Sequence, residues 1–196
     1  FYGLVFGTYL GQVYATMYPH RVHRMVLDSN VNPHEIWFRL NLEQNLAVDH
    51  NLELWFEWLA EHHDTFNLGE TECEVEETFH EVMKHLEKNP INDTVGPSEW
   101  VDIFSYVAHT QSEWVFFGEV FSNWVHNSSA ATIIRLYELL ITPGDDNGYA
   151  TYLATLATDA QWPKNWNRVR ARNWFSYVKA PLTTWYNAWF NGPIHY

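Results

Sequence analysis

The chain has 196 residues, of which 46% are hydrophobic, so it is long enough to bury a substantial core. Its 11 Lys and Arg residues against 24 Asp and Glu residues give a formal net charge of −13, which repels phosphate backbones and anionic membrane surfaces. We therefore expect neither nucleic acid nor a membrane as a partner. The sequence has no run of about 20 apolar residues to span a bilayer, and its start lacks the charged segment of a signal peptide.

Cysteine usage indicates the compartment. Cys73 is the single cysteine of the 196 residues, so no intrachain disulfide can form. Folded domains that rely on packing alone are typical of reducing compartments. The sequence therefore predicts a cytoplasmic protein.

Residues 1–32 are predicted to form a strand, a helix and a second strand. An apolar run ends at Gly7, helical spacing covers residues 8–18 before Pro19, and residues 25–27 form a short second apolar run. We treat this segment as a βαβ-like unit.

From Pro33 onward the apolar residues recur at intervals of three and four, which predicts helices. Thr71 and Glu74 form a predicted capping box that opens one of them. Gly96 precedes another, and further helices are predicted over residues 114–125 and 130–140. A turn is predicted over residues 143–148, followed by the last helices, which Pro163 and Pro181 bound. We expect a mainly α protein with two or three short strands near the N-terminus, divided into residues 1–32 and a helical domain over 33–196.

The segment Gly3-Leu4-Val5-Phe6-Gly7 has the spacing of G-x-S-x-G, the nucleophile elbow in which a strand turns sharply into a helix. Glycines suit this turn because the backbone is strained and approaches its neighbours closely. The central residue here is Val5, which has no lone pair for nucleophilic attack. The sequence therefore predicts a degenerate elbow made of Gly3, Val5, Phe6 and Gly7.

Longer stretches resemble one family, the secreted bacterial tripeptidyl aminopeptidases, which are serine peptidases of the α/β-hydrolase fold. The resemblance begins with the elbow and continues, in order and approximate spacing, along nearly the whole chain. It is carried by these segments: Tyr2 to Gly11, Tyr18 to Asp28, Leu68 to Thr71, Gly96 to Glu99, Asp146 to Ala150, Asp159 to Pro163, Ala180-Pro181 and Trp185 to Asn191.

The resemblance implies a helical lid, or cap, attached to a remnant strand-helix-strand unit. It also implies that the family's nucleophilic serine falls on Val5, and that the family's catalytic Asp and His and its oxyanion-hole loop fall outside residues 1–196. Loss of a triad member leaves only residual activity from the rest of the site. We therefore expect no Ser-His-Asp hydrolysis.

Three functional hypotheses remain open at this stage. The first is a non-hydrolytic protein that binds an apolar or aromatic small molecule in a lid-derived pocket, including a cofactor-free cyclase or isomerase of secondary metabolism. The second is a pseudoenzyme or interaction protein without chemistry. The third is a trimmed or engineered piece of a serine aminopeptidase. The 11 Trp, 11 Tyr and 12 Phe residues motivate the first, although most buried aromatic residues simply pack in cores.

Individual polar and aromatic residues give site candidates. Asp28 follows the second strand, where α/β folds place ligands, and is the candidate acid or base; a role in the turn is the alternative. The candidate ligand-binding residues are Trp114, Phe117, Trp185, Trp189 and Asp146.

Other polar runs favour a structural role. The run Glu61-His62-His63-Asp64 contains metal-binding side chains, but neighbours on a helix point about 100° apart and do not converge, so we expect no metal and no cofactor. Arg168, Arg170 and Arg172 are interpreted as a solvated face paired with acidic residues.

The predicted sheet also suggests self-association. Two parallel strands leave unpaired backbone groups at their edges, and the helix between them has an apolar face. A second copy of the chain covers such a surface most simply, because one surface then serves both subunits. We therefore expect a homodimer.

Overall fold

The computed structural model describes residues 1–140, 146–158 and 160–184, and it begins with a strand-helix-strand unit. Strand β1 (Tyr2–Leu4) leads into helix α1 (Phe6–Met17), and a short 3₁₀ turn (Pro19–Arg21) precedes strand β2 (Val26–Asp28). The strands pair in parallel, with Gly3 opposite Leu27 and Leu4 opposite Asp28. The predicted strand-helix-strand order is therefore confirmed.

The remaining described residues are mainly helical, which confirms the predicted fold class. The helices are α2 (Phe38–Glu61), α3 (His63–Phe66), α4 (Glu72–Leu86), α5 (Pro97–Phe104), α6 (Trp114–Asn127), α7 (Ala131–Leu140), α8 (Asp146–Thr158) and α9 (Trp166–Tyr177). Two 3₁₀ turns (Ser105–Ala108 and Gln111–Glu113) connect α5 to α6.

Local sequence signals account for several helix boundaries. The Thr71 hydroxyl accepts a hydrogen bond from the Glu74 amide at 3.3 Å, and the Glu74 carboxylate accepts one from the Thr71 amide at 3.1 Å. This reciprocal pair is the predicted capping box, and it satisfies two amides that a helix start leaves without partners. Helix α4 consequently begins at Glu72, directly after the cap.

The prediction of a turn over residues 143–148 is wrong for residues 146–148. Asp146, Asn147 and Gly148 lie in the first turn of α8, while residues 143–145 lie outside the described residues. An acidic residue favours a helix N-terminus because it complements the helix dipole, and Ala and Leu residues follow within the helix. These preferences outweigh the turn tendency of Asn147 and Gly148.

The core lies between α2, α4, α5 and α6 and is built from aromatic side chains. Its centre is Phe79, which has no exposed surface. The ring centroid of Phe79 lies 5.3 Å from that of Phe56, 5.7 Å from Trp100, 5.8 Å from Phe104 and 5.6 Å from Phe121. These tilted and edge-to-face contacts add to the stabilisation that burial of the rings provides. The high aromatic content is therefore used largely for packing.

Helix α9 is held beside α2 by a buried carboxylate. Asp49, 3% exposed, accepts hydrogen bonds from the Leu182 amide at 3.1 Å, the Thr183 amide at 3.0 Å and the Thr183 hydroxyl at 3.1 Å. Burial raises the pKa of Asp49 although these bonds favour its charged form. The residues that follow α9 are thereby anchored to α2, and the two helices run side by side.

A second carboxylate makes stability depend on pH. Partial burial, and then the nearby charge of Glu99, raise the pKa of Asp102 to about 6. Because the folded state holds this proton more tightly than the unfolded state, the contribution of Asp102 to stability falls as pH rises from about 4 through 6.

We therefore expect Asp102→Asn to raise the free energy of unfolding at pH 7.5 by about 1 kcal/mol, a discounted value because the side chain retains contact with water. The gain should be much smaller at pH 4, where Asp102 is protonated in the folded state and therefore neutral in both folded proteins. Urea denaturation at the two pH values measures the difference, and an equal gain at both would rule out titration as its cause.

Candidate functional site

The most distinctive local geometry of the protein is the turn from β1 into α1. Val5 at this turn has φ 47° and ψ −108°, a left-handed conformation that is unfavourable for a β-branched residue. Its amide donates a hydrogen bond to the Asp28 carbonyl at 3.1 Å, and its carbonyl accepts one from the Thr8 hydroxyl at 2.6 Å. The strained turn of a nucleophile elbow is therefore present, with valine at its centre.

Close packing of the backbone explains why one of the two glycine positions of the elbow cannot carry a side chain. A Cβ atom on Gly3 would lie 2.5 Å from the Gly7 carbonyl oxygen, whereas one on Gly7 would meet nothing within 4 Å. The expectation that close approach requires both glycines is correct for Gly3 and wrong for Gly7. Sequence reasoning missed Gly11, where a Cβ atom would lie 2.7 Å from Leu27 Cδ2, so that α1 can approach β2 closely.

Aromatic rings flank the elbow. Phe6 directly follows Val5, and its ring stacks on Trp37 with a centroid separation of 5.5 Å and an interplanar angle of 19°. Tyr9, one turn along α1, lies 5.8 Å from Phe6. Trp37 is 8% exposed, and its indole Nε1 has no hydrogen-bond acceptor among the described residues. The residue just before α2 therefore covers one side of the elbow.

Asp28 lies at the same edge of the sheet as the elbow. It is the last residue of β2, and its Oδ2 accepts a hydrogen bond from the Tyr2 hydroxyl at 2.7 Å. That hydrogen bond is the main cause of a raised pKa for Tyr2. Both side chains are exposed. A carboxylate with a hydroxyl partner is consequently available to a ligand beside Val5, and the acid or base role of Asp28 stays a prediction.

Two of the residues predicted to bind a ligand, Trp114 and Phe117, lie in the helical region. Phe117 is 2% exposed within the core, and Trp114 is partly buried, with its indole nitrogen donating to the Val107 carbonyl at 2.9 Å. Asp146 begins α8, but its side chain is outside the description, as are Trp185 and Trp189. The observed contacts of Trp114 and Phe117 are those of core residues, and their role in binding remains untested.

His62 and His63, which the sequence offered as metal-binding side chains, contact neighbouring residues instead. His62 Nδ1 lies 2.8 Å from the Trp58 carbonyl oxygen, and His63 Nε2 lies 3.2 Å from Asp64 Oδ1. In the portion of the chain that the structure covers, no three His, Cys, Asp or Glu side chains are grouped to hold a metal ion. No helix of that portion is both long and apolar enough to cross a bilayer.

The strain at Val5 has a measurable consequence. Glycine adopts the left-handed conformation without steric cost, whereas a non-glycine residue there costs about 1–3 kcal/mol. Val5 is 60% exposed, so little packing is lost when its side chain is removed. We expect Val5→Gly to raise the free energy of unfolding by about 1 kcal/mol after the added entropy of the unfolded glycine is subtracted. Thermal unfolding should show a higher midpoint, and a lower one would mean that Val5 makes stabilising contacts.

A strained turn between a parallel strand and a helix is the nucleophile-elbow arrangement typical of the α/β-hydrolase class, here with valine at its centre. Sequence comparison identifies the particular relatives. The chain is 36% identical over 197 residues to a tripeptidyl aminopeptidase of Streptomyces lividans and, equally, to one of Streptomyces coelicolor.

The alignments cover 97% of this chain and 37% and 36% of the two relatives, so the chain spans just over a third of their length. The resemblance to the tripeptidyl aminopeptidases, first seen in the motifs, is thereby confirmed. No protein-family model matches the chain.

Proposed function

We propose that this protein is a non-hydrolytic relative of the tripeptidyl aminopeptidases that binds an apolar or aromatic small molecule at its elbow, beneath the lid-like helices. The observation that carries the proposal is Val5, which occupies the strained nucleophile position with a side chain that cannot be acylated. An elbow that retains its backbone geometry without its nucleophile retains a place to bind while losing the means to cleave.

The surroundings of Val5 favour an aromatic ligand. Val5 is 60% exposed and therefore accessible, and the ring of the next residue, Phe6, contacts those of Tyr9 and Trp37. A flat apolar molecule gains both burial and ring contacts on such a surface. Residues Trp185, Trp189 and Asp146 belong to the proposal on sequence grounds.

The same proposal extends to catalysis by proton transfer at the elbow. Asp28 lies at the carboxyl end of β2 and accepts a hydrogen bond from the Tyr2 hydroxyl, so a molecule bound there could exchange a proton with this pair. A cofactor-free cyclase or isomerase needs proton transfer of this kind. The alternative is an interaction protein that performs no reaction.

Self-association is the second part of the proposal. Large apolar side chains on β1, β2 and α1 are exposed, among them Leu4 at 53%, Val26 at 59%, Leu10 at 55% and Met17 at 61%. Exposed apolar patches of this kind are usually covered by a partner. We propose a second copy of the chain as that partner, in a cytoplasmic homodimer whose subunits comprise a strand-helix-strand unit, residues 1–32, and a helical domain, residues 33–196.

Fluorescence titration with 2-naphthol, a neutral aromatic probe, tests binding at the elbow. We expect binding to the unaltered protein and at least tenfold weaker binding to Phe6→Ala. Tyr14→Ala is the matched control, because it removes an aromatic ring from the same helix at a residue that pairs with Tyr18 instead. Equal affinity in all three proteins, or no binding at all, would contradict the proposal.

Light scattering at micromolar concentration tests association. We expect twice the mass of the chain, and Leu10→Glu should halve it by placing a charge in the apolar patch. A monomer whose mass does not change with concentration would exclude the homodimer and indicate that other residues of the same protein cover the patch.

A further inference from the structure

A groove between α2 and α9 collects an unusual share of the positive charge of this acidic protein. Its volume is ≈ 770 Å³. Four of the 11 Lys and Arg residues of the chain line it, namely Arg39, Arg168, Arg172 and Lys179. Glu43 is the one carboxylate among the described residues that line it. The groove is therefore positive within a chain whose formal net charge is −13.

Three of these four cationic side chains have no carboxylate partner within the described ranges of the chain. Arg39 is paired with Glu35. Among the described residues, Arg168, Arg172 and Lys179 have no carboxylate within ion-pair distance, although Lys179 lies 5.3 Å above the Phe175 ring. For the part of the chain that the structure describes, the expectation that the arginines of α9 pair with acidic residues is thus not met for Arg168, Arg170 or Arg172. Unpaired guanidinium groups one helical turn apart can bind one anion together.

The same groove has apolar walls. Leu42 and Leu46 lie one turn apart on α2, and Phe175 faces the groove from α9. Leu46 is 38% exposed and Phe175 is 70% exposed. A phosphate or other compact anion would leave these surfaces in water, whereas a chain of methylene groups would cover them. Cations beside apolar walls are complementary to a molecule that has a charged head and an apolar tail.

We propose that the groove between α2 and α9 binds an amphipathic carboxylate of the fatty-acid type, with its head between Arg168 and Arg172 and its tail along Leu42, Leu46 and Phe175. The site is separate from the elbow and does not depend on the function proposed there. Its volume lies within the range of small-molecule clefts, about 300–1,000 Å³. The net negative charge of the protein disfavours an anionic bilayer as the occupant.

Calorimetric titration with sodium dodecanoate below its micelle concentration tests the proposal. The titration is made at physiological ionic strength, where the Debye length of about 8 Å screens distant acidic residues. We expect one site per chain, with dodecanol and dodecyltrimethylammonium binding at least tenfold more weakly. Hydrogen bonds to charged groups contribute about 1.5–3 kcal/mol, so Arg168→Ala/Arg172→Ala should weaken dodecanoate binding by roughly 10- to 100-fold.

A matched control removes the same charge elsewhere. Arg135→Ala/Arg170→Ala deletes two exposed arginines that do not line the groove and should leave the affinity within about twofold. Phe175→Ala should weaken dodecanoate binding, because the tail loses one apolar wall of the groove. Equal binding of dodecanol and dodecanoate, or equal losses in the two double variants, would overturn the proposal. Binding only to anionic vesicles would do so as well.

Discussion

Phe79→Ala is expected to lower the free energy of unfolding by about 3–5 kcal/mol, the cost of removing a buried aromatic side chain and leaving a cavity. Phe79 has no exposed surface and contacts four other rings between 5.3 and 5.8 Å away. Rigid aromatic neighbours cannot collapse fully into the space left behind. A domain typically has about 5–15 kcal/mol of stability in total, so the variant should unfold at a much lower urea concentration.

Phe175→Ala is the control for this prediction, because it deletes the same atoms from a residue that is 70% exposed. Surface substitutions of this kind change stability by about 0.5 kcal/mol or less. Equal urea midpoints for the two variants would show that Phe79 is not at the centre of the core.

Gly3→Ala is expected to destabilise the protein by about 1–3 kcal/mol. The new methyl group would lie 2.5 Å from the Gly7 carbonyl oxygen, and relief of this contact requires movement of the backbone between β1 and α1. A side-chain rotation cannot remove a clash between Cβ and backbone.

Gly7→Ala is expected to have the opposite effect. The position lies in α1, and nothing is within 4 Å of the added methyl group. Alanine is favoured over glycine in helices by about 0.8–1 kcal/mol, so the free energy of unfolding should rise by up to that amount. Thermal unfolding of both variants measures the contrast, and a loss of stability in Gly7→Ala would mean that the elbow packs more tightly than the structure indicates.

Most of the fold follows from local sequence signals. The Thr71 capping box and the apolar spacing of α2 and α4 predict helices whose buried faces the structure confirms. These signals are reliable because each concerns residues three or four positions apart. The first turn of α8 was predicted wrongly, since Asn147 and Gly148 have turn propensity that a helical context overrides.

The candidate site was less predictable, because it depends on contacts between distant residues. The spacing of Gly3, Val5 and Gly7 predicted the elbow itself. The stacking of Phe6 on Trp37 joins residues 31 positions apart, and nothing in the local pattern singles out that pair. The basic groove likewise needs α9 to lie beside α2, a placement set by hydrogen bonds from Leu182 and Thr183 to Asp49.

We propose that Val5 occupies the place of a nucleophile and that the protein forms no acyl-enzyme. Incubation with a serine-reactive fluorophosphonate, followed by intact mass spectrometry, tests this claim most directly, with an active serine hydrolase labelled in parallel as the positive control. We predict that the mass of the protein stays unchanged after prolonged incubation. A stoichiometric adduct on any serine would contradict the account, because it would reveal an activated nucleophile that the elbow does not contain.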